Sequence, residues 1–156
     1  METMQIGSWN VAYDREKTES LHNAAECGAS GKCQCCHCRN FVAARDMVYP
    51  EIVRRIMASL GVDYKKEQEL YEICEVEDGW HLYNGWFRFV GAASFPDGEL
   101  DTSQRSAFST DEVTVNDNFS WSLSQQPRVV WWGLPIVEIH FQAKVPWVLG
   151  AEEDEL

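Results

Sequence analysis

Trp80-His81-Leu82-Tyr83-Asn84-Gly85-Trp86-Phe87-Arg88-Phe89-Val90 is the stretch on which the fold class turns. Asn84-Gly85 stands between two apolar, aromatic runs. Asn-Gly supplies the positive φ values that a type I′ turn demands, so the spacing predicts a β-hairpin with its turn at those two residues. Trp80, Tyr83, Trp86, Phe87 and Phe89 are then expected in the core.

Strand patterns continue on both sides. Phe119, Trp121 and Leu123 alternate with Ser120, Ser122 and Ser124, the mark of a strand with one wet face. Val137, Ile139, Phe141, Ala143 and Val145 repeat it against Glu138, His140 and Gln142. Upstream, Tyr71 to Val76 reads as a strand, and Trp9, Val11 and Tyr13 share one face of another within residues 1–13. One helix stands out at about residues 49–60. Val48, Ile52, Ile56 and Leu60 recur every four residues, with Val53 and Met57 beside them. Pro50 suits the first turn and Gly61 a left-handed C-cap. Residues 14–34 read as a polar, irregular loop that delivers the cysteines. Residues 96–112 read as a second long loop, and 150–156 as an acidic disordered tail. The expectation is a single α+β domain over residues 1–149. A mostly antiparallel sheet of five or six strands packs on one main helix (about 49–60) beside a Cys-rich loop.

The chain has 156 residues, enough to bury about 68–70% of its unfolded surface. Its 25 acidic and 13 basic residues give a net charge of −12. Such a field repels phosphate backbones and anionic lipid, so neither nucleic acid nor a membrane surface is an expected partner. A basic protein partner, or simple solubility, fits better. No apolar h-region occupies the first 25 residues, and no apolar run nears the roughly 18 residues of a membrane helix. A cytoplasmic location is therefore expected, where thiols stay reduced and clustered cysteines bind metal or do redox work.

That makes Cys33-Gln34-Cys35-Cys36-His37-Cys38 the main chemical feature. It holds two interleaved C-x-x-C pairs, Cys33/Cys36 and Cys35/Cys38. Two thiolates at that spacing can turn onto one tetrahedral ion at about 2.3 Å each. Cys27, His22, His37 and, on a returning strand, Cys74 are available to close the shell. Structural zinc on a set drawn from Cys35, Cys38, Cys33, Cys27, Cys36 and His22 is the favoured reading. A thioredoxin-like redox pair needs the C-x-x-C at a helix N-terminus behind a strand. Covalent haem would use Cys33-Gln34-Cys35-Cys36-His37 but requires export. A cluster that binds nothing competes closely with zinc.

Elsewhere the signals are thin. His81, His140 and Glu138 could meet on a sheet surface as a second site, though ordinary surface histidines are commoner. There is no nucleophile-elbow, Walker or dinucleotide glycine pattern. Asp97, Asp101, Asp111 and Asp117 show no calcium-loop spacing. Trp131 and Trp132 are neighbours on a strand and so point to opposite faces, which offers one of them as a binding anchor.

Several segments together resemble a family of small bacterial proteins without an established activity. They are Cys35-x-x-Cys38-Arg39-Asn40-Phe41, Leu60-Gly61-Val62-Asp63, Gly85-Trp86-Phe87-Arg88-Phe89-Val90-Gly91 and Pro146-Trp147-Val148-Leu149. The resemblance spans about residues 33–149. It implies a bacterial cytoplasmic protein in which Cys35 and Cys38 are the principal pair, with Cys33 and Cys36 as additions. The functional expectation is a non-enzymatic binding or accessory protein, immunity-like in one version, with zinc in the Cys-rich loop. The alternative is a thiol redox enzyme or sensor using Cys35 and Cys38.

Overall fold

The computed structural model describes residues 1–94, 113–131 and 133–150, with residues 113 and 126–131 described by backbone alone. In chain order the elements are β1 (Glu2–Ile6), β2 (Trp9–Tyr13), α1 (Arg15–Ala24), α2 (Ala29–Lys32), α3 (Cys36–Ala44), a 3-10 turn (Arg45–Met47), α4 (Glu51–Leu60), β3 (Glu69–Glu77), β4 (Trp80–Ser94), β5 (Val113–Asn116), β6 (Phe119–Trp131) and β7 (Leu134–Pro146). The seven strands form one antiparallel sheet in the order β1-β2-β4-β7-β6-β5, and β3 joins β4 beside β2. The class is α+β, as the sequence leads one to expect.

Among the described residues the strand count reaches seven by three departures from the sequence reading. Residues 1–13 hold two strands, turning at Gly7 (φ 58°). β5 is added ahead of β6. The expected hairpin at Asn84-Gly85 does not form, because both residues lie inside one continuous strand. Asn84 pairs with Tyr71 on one side and Gln142 on the other, and Gly85 with Leu70 and Phe141. Two-sided pairing of an unbroken aromatic run outweighs the local preference of one dipeptide. The turn falls instead just before Trp80, where Gly79 adopts φ 77°. Gly85 is small for another reason. A Cβ there would stand 2.7 Å from the Glu69 carbonyl oxygen and 2.7 Å from the Phe141 ring.

The inner face of the sheet is lined by Tyr83, Phe87 and Phe89 of β4, Val137, Ile139, Phe141, Ala143 and Val145 of β7, and Phe119, Trp121 and Leu123 of β6, all buried. Trp80 and Trp86, expected in the core with them, are only half-buried, because in one continuous strand they fall on the opposite face, paired with Pro146 and His140. Phe41 of α3 inserts among them, with ring centroids 5.3 Å from Tyr83 and 6.3 Å from Phe141. α4 buries Val53, Met57 and Leu60, while Ile52 is exposed, so the stripe is rotated from the expected one. Gly61 ends α4 at φ 86°, and a Cβ there would meet the Arg15 carbonyl oxygen at 2.5 Å.

Residues 14–34 are not the irregular loop expected; they hold α1 and α2. The apolar-periodicity test misses α1 because its buried residues are Thr18 and His22, polar and four apart. They serve as a substitute strand. β2 and β3 both pair with one edge of β4, at Gly91–Ser94 and Trp80–Trp86. In the gap between, the Val90 N–H donates to Thr18 Oγ1 (2.9 Å), and the Asp14 N–H donates to the Val90 carbonyl (3.0 Å). His22 Nε2 lies 2.9 Å from the Arg88 carbonyl. α1 thus satisfies backbone groups that a bare strand edge would leave open.

The expected loop at 96–112 lies outside the described residues, as do residues 151–156 of the expected tail. Among the described residues no helix is long and apolar enough to cross a membrane.

Candidate metal centre

Cys33 follows α2, Cys35 is the N-cap of α3, and Cys38 lies in its first turn. An N-cap and the residue three on share one face of a helix, and the extended Cys33–Cys35 step returns a third sulfur to it. The Sγ atoms of Cys33, Cys35 and Cys38 all lie within 4.8 Å of one another, near enough to hold a metal ion. Thiolates at about 2.3 Å from a tetrahedral ion stand about 3.8 Å apart, so closure takes movements on the order of 1 Å. Among the described residues no fourth donor joins the group.

The frame around the thiols is built from buried polar side chains. Asn40, fully buried, donates from Nδ2 to the Pro146 carbonyl (3.1 Å) and accepts at Oδ1 from the Val148 N–H (2.8 Å). It ties α3 to the end of β7. The Tyr83 hydroxyl donates to the His37 carbonyl at 2.7 Å. Upstream, buried Glu67 receives the Ser30 N–H at Oε1 (2.7 Å), and its carbonyl receives the Ala29 N–H (3.0 Å). Gly28 permits this approach, since a Cβ would lie 2.8 Å from Glu67 N and Oε1. Arg45 Nη2 donates to Ser30 Oγ (2.8 Å). The sulfur-bearing segment is therefore held at both ends by contacts that need no metal.

The three thiols differ electrostatically. Partial burial raises the Cys35 thiol, but the backbone N–H of Cys38 (3.4 Å to Sγ) and the thiols of Cys33 and Cys38 more than offset it. Its pKa falls below the ordinary 9.0. Burial, then the neighbouring Cys33 and Cys35, drive the Cys38 thiol far upward. A cation at the centre would remove that penalty and expel the proton.

The remaining expected ligands lie apart from this group. Cys36 is buried with its Sγ 3.9 Å from His37 Nδ1. Cys27 lines, with Cys33, a cleft of about 480 Å³ beside the thiols. Both nitrogens of His22 are engaged by backbone: Nε2 faces the Arg88 carbonyl, which only accepts, and Nδ1 receives the Asp63 N–H at 3.4 Å. It is therefore a neutral Nε2–H imidazole, and burial lowers its pKa. Cys74 is exposed on β3, and all six cysteines are free.

His81 and His140 do not meet. They pair with Val145 and Trp86, five residues apart along β4, about 17 Å. His140 instead lies 3.3 Å from Glu138 Oε1, whose other oxygen receives Arg88 Nε at 3.0 Å. His81 joins His37 and Glu72, a group that the sequence reading missed because Glu72 sits on a strand with no distinguishing motif. Trp131 closes the β6–β7 hairpin opposite Leu134. Its side chain and all of Trp132 lie outside the described residues.

Fold and site together define a small acidic α+β domain with a three-thiol cap on one helix. No family model, curated protein or solved structure matches the chain.

Proposed function

We propose that this is a non-enzymatic binding or accessory protein whose Cys-rich segment is locked by a structural zinc ion on Cys33, Cys35 and Cys38. The observation that carries the reading is the convergence of those three sulfurs within 4.8 Å on a helix already docked to the sheet. Zinc suits an all-thiolate set. Three thiolates leave one tetrahedral position, and a shift of Cys27, which lines the same cleft as Cys33, would be needed to bring a fourth sulfur to it. The net charge of −12 fits a basic protein partner in a bacterial cytoplasm, with toxin neutralisation as one version of that role.

A second reading has a specific observation in its favour. Cys35 is exposed, caps a helix and has a lowered pKa, while Cys38 three residues on is buried with a raised one. That asymmetry suits dithiol exchange, in which Cys35 attacks a disulfide and Cys38 resolves it, leaving a Cys35–Cys38 disulfide and a reduced substrate.

Alkylation separates the two. Under the zinc reading, Cys33, Cys35 and Cys38 resist iodoacetamide until a chelator is added, and chelation lowers the melting temperature without unfolding the sheet. Rapid, chelator-independent alkylation of Cys35 would transfer the assignment to exchange chemistry.

A further inference from the structure

We propose that His37, Glu72 and His81 form a second metal site, independent of the thiol group, for a first-row divalent ion such as Zn²⁺, Fe²⁺ or Mn²⁺. Their donor atoms lie within 4.8 Å of one another. His37 Nε2 is 3.7 Å from Glu72 Oε2, and His81 Nδ1 is 3.3 Å from Glu72 Oε1. Two imidazoles and one carboxylate are the donor set of borderline divalent ions, and three ligands leave open positions. His37 is the most exposed of the three.

The local structure is arranged around this group. β3 pairs Glu72 with Tyr83 but Glu75 with His81, because the register slips between Glu72 and Cys74. Without that bulge Cys74 would oppose His81. The extra residue turns Glu75 onto the inner face beside Glu72, the kind of re-aiming that bulges perform next to sites. Each imidazole then has a partner on its remote nitrogen. His81 Nε2 lies 3.5 Å from Glu75 Oε2, and His37 Nδ1 lies 3.9 Å from Cys36 Sγ. Such outer partners fix the orientation of metal-bound histidines. Trp147 packs on both rings, with centroids 5.8 Å from His37 and 4.9 Å from His81. The Asn40 clamp holds the residues on either side of that tryptophan. Cys36, which stands outside the thiol group, thereby acquires a role as the positioning residue of His37.

The test uses the full chain, stripped with chelator and dialysed against ZnCl2, with metal counted per chain. The Cys33→Ser/Cys35→Ser/Cys38→Ser protein is expected to retain one ion, and Glu72→Gln in that background to retain none. Glu75→Gln is expected to weaken the remaining ion about 10- to 100-fold. Circular dichroism verifies folding. Should the triple variant misfold, the wild-type chain gives the answer. Zn²⁺ should shift the imidazole proton resonances of His37 and His81 but not those of His22, and Glu72→Gln should abolish those shifts. A folded triple-serine chain that takes up no ion, or uptake indifferent to Glu72→Gln, overturns the proposal without touching the thiol site.

Discussion

Replacing Asn40 with alanine removes the clamp that joins the cysteine helix to the sheet. Asn40 makes two hydrogen bonds, to the Pro146 carbonyl and from the Val148 N–H, with its side chain fully buried. Losing each costs the desolvation of the backbone group left behind, about 1–3 kcal/mol where water cannot reach it. Because Val148 is exposed, its N–H regains water and the lower end applies there. The total is about 2–4 kcal/mol. For a chain of this length, that lowers the melting temperature by roughly 4–16 °C at about 2–4 °C per kcal/mol. Guanidinium unfolding should show a reduced midpoint with an unchanged slope. Asn40→Asp keeps the acceptor for Val148 but sets a carboxylate against the Pro146 carbonyl, so it should be no milder than alanine. In both variants the chelated protein should expose Cys38 to alkylation faster than the parent. Stability of Asn40→Ala within about 0.5 kcal/mol of the parent, or loss of stability with Cys38 protection unchanged, would refute this account of how the site is attached.

Other outcomes follow from the same contacts. Thr18→Val is nearly isosteric but deprives the Val90 N–H of its acceptor, and should cost about 1–3 kcal/mol by denaturant melt. His22 carries a pH signature. Its folded pKa is held below the ordinary 6.5, chiefly by burial. Above about pH 6.5 both states are neutral and the full stability is present. As pH falls through that value the unfolded chain takes up a proton first, so stability declines until the folded imidazole titrates as well. His22→Gln, which keeps a donor for Arg88, should flatten the slope of unfolding free energy between about pH 5 and 6.5 by up to about 1.4 kcal/mol per unit. An unchanged slope would place that titration elsewhere.

Alternation of apolar and polar residues made the inner faces of β6 and β7 readable, and the four-residue repeat made α4 readable. The errors share a cause. Asn84-Gly85 carries a turn signal that only the neighbouring strands override. α1 buries Thr18 and His22 against a strand edge, a polar face that hydrophobic patterning cannot register. At the site, the C-x-x-C spacing of Cys35 and Cys38 was visible, because a helix N-cap imposes it locally. The choice of Cys33 over Cys36 was not, since it depends on the phase of α3. Glu72 and Glu75 were hidden altogether, because the bulge that brings them to His81 is a property of strand pairing.

The convergence of Cys33, Cys35 and Cys38 on one ion is tested most directly by difference. Zinc should be measured per chain in freshly purified wild-type protein and in the folded Cys33→Ser/Cys35→Ser/Cys38→Ser protein. One additional zinc in the wild type is the expected result, whatever the imidazole site contributes to both. Equal zinc content in the two would contradict the claim that these thiols hold a metal.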